Sequence, residues 1–205
     1  MFLLIVGTGA MGRIIYDCAK NEEIFDRIEM VEPMEKNWPK EKADLLIDFS
    51  HPSVIKDIYE YCRDRGGNIP VVIGTTGQSS DEEEIIKLLK KICPMERKSN
   101  FSRGIEAMTH LACEAEKLLE GCDIGIEEIH HNKKIDSPSG TAKTLCDILE
   151  LPYDKAVSQR LGTMFGQHKI YFALKDEMIE IVHTAYSKKI FAIGAIEAGK
   201  RMLTK

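Results

Sequence analysis

The chain has 205 residues, of which 43% are hydrophobic and 30% charged, with a formal net charge of −5. This is the balance of an ordinary globular protein and carries no footprint of a nucleic-acid or membrane-surface binder. No apolar run reaches the roughly 18 residues of a membrane span, and the six scattered cysteines, with no Cys-x-x-Cys pair, predict reduced thiols in a cytoplasmic protein.

Phe2 to Val6 is a short apolar run that reads as a first strand rather than a signal peptide, because no basic leader accompanies it. Gly7-Thr8-Gly9-Ala10-Met11-Gly12 follows, and then a helical pattern to about Asn21. Strand, Gly-x-Gly-x-x-Gly, helix is a dinucleotide fingerprint. The first glycine permits the turn, the second admits a pyrophosphate, and the third lets helix pack on strand. Arg27 to Val31 reads as a second strand ending at Glu32, where ribose hydroxyls are met in such folds. An acidic group there repels a 2′-phosphate and Pro33 supplies no cation, which favours NADH over NADPH; the alternative is a solvated glutamate.

Ala43 to Phe49 and Pro70 to Ile73 read as buried parallel strands, with a helix from about Ser53 to Arg65 between them. The second delivers Gly74-Thr75-Thr76-Gly77 at its carboxyl end, where ligands lie in open α/β sheets. Ser80 to Glu83 has capping-box spacing at a helix start, and its acidic run suits the helix dipole better than a metal. Ile92 to Met95 reads as a further short strand, and Ser99-Asn100-Phe101-Ser102 as a loop whose aromatic either stacks on a ring or turns the chain. Gly104 to Leu119 has helical periodicity.

The most chemically dense stretch is Glu127-Glu128-Ile129-His130-His131-Asn132-Lys133-Lys134-Ile135-Asp136-Ser137-Pro138-Ser139-Gly140-Thr141-Ala142. A strand ends near Ile129 and a helix runs from Thr141 to Leu149, with Ser139 as its N-cap. Amides of Gly140 and Thr141 at the positive end of that helix form a seat for an anion. His130 and His131 are poor joint metal ligands, since strand neighbours face opposite ways, and no metal is expected. Lys133 reads as surface charge. Ser139 has no marked general base, so a cap suits it better than a nucleophile. Beyond this stretch, Lys169 to Leu174, Glu177 to His183 and Lys188 to Ala192 read as antiparallel strands, and Gly194 to Leu203 as a small-residue helix returning to the first domain. The inferred architecture is α/β: a Rossmann-like dinucleotide-binding domain over 1–103 plus 187–205, and a smaller α+β substrate and oligomerisation domain over 104–186.

His-His-x-x-Lys-x-Asp-x-Pro-Ser-Gly-Thr-Ala resembles the signature of the 4-hydroxy-tetrahydrodipicolinate reductases, also called dihydrodipicolinate reductases. Gly7 to Gly12, Asp48-Phe49-Ser50 with Pro52, Gly74 to Gly77, Asn100-Phe101-Ser102 with Gly104, Gly166-Gln167-His168, Glu180 to Ala185 and Phe191 to Ala195 are similar to the family in the same order. The chain departs from it by a glycine loop one residue shorter than in many members and by abbreviated stretches after Glu32 and after Leu149. The resemblance implies a dinucleotide on Gly7, Thr8, Gly9, Ala10, Met11, Gly12, Glu32, Gly74, Thr75, Thr76, Ser99, Asn100 and Phe101. It implies substrate held by His131, Lys134, Gly140 and Thr141, with His130 and Lys134 as the acid–base pair. The implied reaction reduces a cyclic dicarboxylate imine to tetrahydrodipicolinate with NADH or NADPH, on the diaminopimelate route to lysine. The implied assembly is a homotetramer, with a dimer left open by the shortened loops. Two other readings stay open: a dinucleotide-sensing module without turnover, and reduction of a different oxo- or imino-acid.

Overall fold

The computed structural model describes residues 1–35 and 37–204. The chain divides into two compact units, Met1–Phe101 with the stretch from Phe191, and Ser102–Ile190.

The first unit is a five-stranded parallel sheet built from β1 (Phe2–Val6), β2 (Arg27–Val31), β3 (Leu45–Asp48), β4 (Val71–Ile73) and β5 (Met95–Arg97), in the order β2-β1-β3-β4-β5. Its inner strands β1, β3 and β4 are wholly buried and almost entirely apolar because helices cover both faces. Phe2, Leu4, Val6 and Leu46 pack against α2 (Ile55–Asp64) and α3 (Ser80–Ile92) through Ile58, Ile86 and Leu89. Leu3, Ile5, Leu45 and Ile47 pack on the other face against α1 (Ala10–Ala19) and against a helix from the end of the chain. The chain reverses its direction of strand addition between β1 and β3, so the carboxyl ends of those strands form the switch point where such sheets bind ligands.

The second unit is a four-stranded mixed sheet. Its strands are β6 (Asp123–His130), β7 (Ala156–Arg160), β8 (Gln167–Ala173) and β9 (Met178–Thr184), ordered β7-β6-β8-β9. β6 and β7 are parallel, joined through α5 (Gly140–Ile148), while β8 runs antiparallel to both β6 and β9. α4 (Arg103–Leu118) and α5 cover one face, burying Ile126, Ile170 and Phe172. No helix among the described residues is long and apolar enough to cross a membrane.

Three expected elements differ. Lys188–Ala192 is not a strand, since a helix, α6, runs over Lys189–Leu203. Ala192, Ala195, Ile196 and Gly199 are buried there at helical spacing, a period that a five-residue window cannot separate from alternation. The capping box is formed by Ser79 and Glu82, not Ser80 and Glu83. Glu83 is held instead by the Arg97 guanidinium. The strand expected over Ile92–Met95 starts at Met95, because α3 runs to Ile92.

α6 lies so close to the first unit's backbone that a Cβ on Gly194 would sit 1.7 Å from the Phe101 carbonyl oxygen. Replacing Gly194 by alanine is therefore expected to destabilise the fold by about 2 kcal/mol or more, despite a helix-propensity gain of about 1 kcal/mol. Chemical denaturation checks this, with exposed Ile193→Ala expected to stay within about 0.5 kcal/mol of wild type.

Candidate active site

The glycine loop works by what it lacks. Gly7 holds a φ of +105°, and a Cβ there would lie 2.6 Å from the Phe49 carbonyl oxygen. A Cβ on Gly12 would lie 1.9 Å from the Gly7 carbonyl oxygen, so helix and loop are in backbone contact. A Cβ on Gly9 would meet nothing within 4 Å, which leaves an open approach to the start of α1. Gly9 caps α1 and has no side chain of its own to bond the first turn, which suits a pyrophosphate at the helix N-terminus. The loop therefore fits the dinucleotide that the fingerprint implies. Ala10 and Met11 form the first turn of that helix.

Glu32 follows β2, and its carboxylate accepts a hydrogen bond from the Thr8 hydroxyl at 2.5 Å. Arg13, which has no place in the glycine pattern, donates from Nε to the Thr8 carbonyl and adds a cation to the loop. Thr76 is exposed, whereas Thr75 is buried and its hydroxyl accepts the Ser50 N–H at 2.9 Å. That bond ties the loop after β4 to the loop after β3. Asp48 reinforces it, accepting from the Ser50 N–H and hydroxyl. Burial pushes the Asp48 carboxyl up to about 6, against the lowering effect of those hydrogen bonds. Ser99 is exposed and Asn100 half-buried, while the Phe101 ring is core, tilted against Phe49 with centroids 6.0 Å apart. Phe101 is thus a packing residue in its side chain, and only its backbone remains to meet a ligand. A cavity of about 730 Å³ lined by Met1, Asp44, Asn68, Pro70 and Pro94 lies at the opposite, amino ends of the strands and contains none of these residues.

In the second unit, alternation along β6 turns Ile126, Glu128 and His130 toward the helices. Strand register then sets Glu128 opposite Ser158 on β7 and opposite His168 on β8, and His168 opposite His183 on β9. A polar row thus crosses all four strands. Glu128 is wholly buried. Its Oε1 accepts from the Ser139 N–H at 2.9 Å, the Ser158 hydroxyl at 2.7 Å and the Arg160 guanidinium at 3.2 Å. Its Oε2 lies 3.3 Å from His130 Nδ1 and 3.6 Å from His168 Nε2. Burial alone would raise this carboxyl, but hydrogen bonding from His168, Ser139 and Ser158 outweighs it and holds Glu128 well below the usual carboxylate range. His183 is held by the α4 N-cap, its Nε2 3.2 Å from the Ser102 hydroxyl.

His130 ends β6 with its ring edge-on to His168, centroids 5.1 Å apart. Gly166 gives it room: a Cβ there would lie 3.0 Å from His130 Nε2. Burial drives the His130 imidazole down to about 4, helped by the charges of His168, Lys134 and Arg160 and opposed by Glu128. His131 lies just past the strand, half-buried, and its carbonyl accepts the Lys134 N–H in a turn. The Lys134 ammonium pairs with Asp136 at 2.8 Å. Ser139 caps α5 as expected, accepting the Ala142 N–H at 3.2 Å, so the cap serves the third helical position and not Gly140 or Thr141. Among the described residues, one group has the donor set for a metal ion, and it is Glu128, His130 and His168 rather than the His130–His131 pair.

Two family models, described as dihydrodipicolinate reductase N-terminus and C-terminus, match residues 34–101 and 104–205. The chain belongs to the dihydrodipicolinate reductase family. Relatives named 4-hydroxy-tetrahydrodipicolinate reductase include one from Staphylococcus saprophyticus, 36% identical over 99% of this chain and 95% of the relative. Another, from Thermosipho africanus, is 36% identical over 96% of this chain and 88% of the relative. A solved structure of dipicolinate-bound dihydrodipicolinate reductase from Paenisporosarcina sp. TG-14 shares the fold, with a TM-score of 0.78 at 21% identity over 100% of this chain and 95% of that one. The family uses a nicotinamide nucleotide. The N-terminal match begins past the glycine loop, which stands on its geometry.

The His130 environment has a consequence for stability. The unfolded imidazole takes a proton near 6.5 and the folded one near 4, so the unfolded state binds more protons between those values. Stability conferred through this residue is present above pH 6.5 and falls as pH drops toward 4. Urea denaturation of wild type against His130→Gln across this window checks it: the wild type is expected to lose more stability on acidification than the variant.

Proposed function

We propose that the chain is a 4-hydroxy-tetrahydrodipicolinate reductase, a cytoplasmic oxidoreductase that makes tetrahydrodipicolinate on the diaminopimelate route to lysine. The observation that carries this reading is His130, a buried imidazole beside an ionised Glu128, followed by the Lys134 turn and the α5 N-terminus. That set answers the needs of a cyclic dicarboxylate imine. Amides of Gly140 and Thr141, with the α5 dipole, hold one carboxylate without offering a competing proton. His131 and Lys134 supply the remaining donors.

Bound on the glycine loop, a reduced nicotinamide supplies the hydride. A conjugated imine that has received it becomes an enamine, whose carbon must take a proton. His130 delivers that proton, and Lys134 steadies the charge that develops. The resting imidazole is neutral at pH 7 because it is buried among cations. A dianionic substrate beside it raises its proton affinity, so the imidazolium forms where it is used. Glu32 meets the ribose hydroxyls and disfavours a 2′-phosphate, which gives NADH the preference, while Arg13 on the same loop moderates it. Val157, Met178 and Val182 are exposed on the helix-free face of the four-stranded sheet. That face supports a homotetramer, with a dimer as the alternative. The six free cysteines suit a reducing cytoplasm.

The test is oxidation of NADH and NADPH by purified protein, with substrate generated in place from pyruvate and aspartate semialdehyde by the preceding aldolase. Wild type is expected to oxidise both, NADH with the higher kcat/KM. His130→Gln and Lys134→Ala should each lose about 10²–10³ in kcat while keeping the dinucleotide Kd. Dinucleotide binding with no substrate-dependent oxidation overturns the reading in favour of a sensing module.

A further inference from the structure

We propose that Glu128 is a positioning residue for His130, fixing the imidazole as its Nδ1–H tautomer so that Nε2, the atom lying against Gly166, is the one that gains and loses the proton. The kinetic part of this inference rests on the reductase reading; the tautomer itself does not.

The argument begins with Glu128 Oε1, which is saturated by three donors from three places, the Ser139 N–H, the Ser158 hydroxyl and the Arg160 guanidinium. The carboxylate cannot rotate without breaking all three. Oε2 is therefore fixed in space, buried, and accepts no hydrogen bond of good geometry. The ring nitrogen nearest to it is His130 Nδ1, also buried and otherwise without a partner, at 3.3 Å. A lone pair on that nitrogen would face the lone pairs of an ionised carboxylate in a low-dielectric interior. A proton on it turns the same 3.3 Å contact from a repulsion into an attraction between the N–H dipole and the carboxylate. Since Glu128 is ionised, the proton that resolves the conflict sits on Nδ1, and the lone pair of the neutral ring is left on Nε2.

The remaining neighbours support this orientation. The absence of a side chain at Gly166 is what lets the ring stand where it does, because a Cβ there would press on Nε2. On the other side of Oε2, His168 Nε2 lies 3.6 Å away and within 3.4 Å of the Ser139 hydroxyl, which holds that ring in place. Arg160 already balances the Glu128 charge. Glu128 therefore acts chiefly by direction, aiming a neutral ring, and the charge that loads the second proton onto Nε2 comes with the anionic substrate. When the proton leaves Nε2 for the substrate carbon, Nδ1–H still faces Glu128 Oε2 and the ring returns to the same tautomer. Sequence pattern marks His130 as a candidate but passes over Glu128, whose role appears only when strand register brings Ser158, Arg160 and His168 around it.

The decisive experiment is long-range ¹⁵N–¹H correlation NMR of ¹⁵N-histidine-labelled wild-type protein at pH 7.5, with His130 assigned by comparison with His130→Gln. The expected result is a protonated-type shift at Nδ1 and an unprotonated-type shift at Nε2. The opposite pattern, or rapid averaging of the two tautomers, overturns the proposal whatever the enzyme reduces. In the kinetic arm, Glu128→Gln and Gly166→Ala are assayed after circular dichroism has established that they fold. Glu128→Gln should lower kcat by roughly a hundredfold or more with dinucleotide Kd unchanged, and should move His130 to a mixture of tautomers. A folded Glu128→Gln with kcat within twofold of wild type sinks the proposal. If wild type shows no turnover the reductase reading fails, and the NMR result on wild type still decides the tautomer. If Glu128→Gln does not fold, that same spectrum decides.

Discussion

The second unit is arranged around one buried carboxylate. Removing Glu128 from water costs several kcal/mol unless its oxygens are met by donors, and the structure meets them from β7, from the start of α5 and from the arginine that ends β7. Each donor is thereby positioned as well as satisfied. The Ser139 amide cannot bond Glu128 unless α5 begins where it does, and the α5 N-terminus is the proposed seat of a substrate carboxylate. His130 lies two residues along the same strand and so on the same face, while His168 faces Glu128 across the register. A single desolvated charge thus couples helix placement, strand register and imidazole orientation. Loss of any one donor would leave a buried charge short of partners.

The first unit solves the opposite problem. Its loop needs backbone amides at an unobstructed helix N-terminus, and it obtains them through side chains that are missing. Gly7 and Gly12 are required by contacts under 3 Å from where a Cβ would stand, and Gly9 by open space alone. Polar side chains nearby are engaged in holding the loops: Thr75 by Ser50, Ser50 by Asp48, and Thr8 by Glu32. Several residues that motif reasoning assigns to the dinucleotide therefore shape the surface on which it would lie.

Where sequence pattern and structure differ, the causes are local. Alternation over Lys188–Ala192 reads as a strand because five residues do not distinguish the two periods, and only the longer run of Ala192, Ala195, Ile196 and Gly199 reveals α6. β7 carries no strand signal in the sequence because Ser158 and Arg160 point inward, reversing the usual pattern of apolar inside and polar outside. That reversal has a physical cause, since both residues donate hydrogen bonds to the buried Glu128 carboxylate. The polar loop around Phe101 leaves stacking and turning both open, and burial against Phe49 places its ring in the core.

The sequence by itself determined the elements whose chemistry is local. These are the strand–glycine–helix turn, the Ser139 cap, the dense His130–Ala142 stretch and the kinship these motifs carry. Spacing along the chain suffices there, because turns, caps and fingerprints are built from residues a few positions apart. Only the tertiary structure decided which polar groups share the interior. Glu128, Ser158, Arg160, His168 and His183 are spread over 56 positions from first to last, and nothing local links them. They meet because strand pairing fixes register to a single residue, and a slip of one would turn every member of the row to the other face.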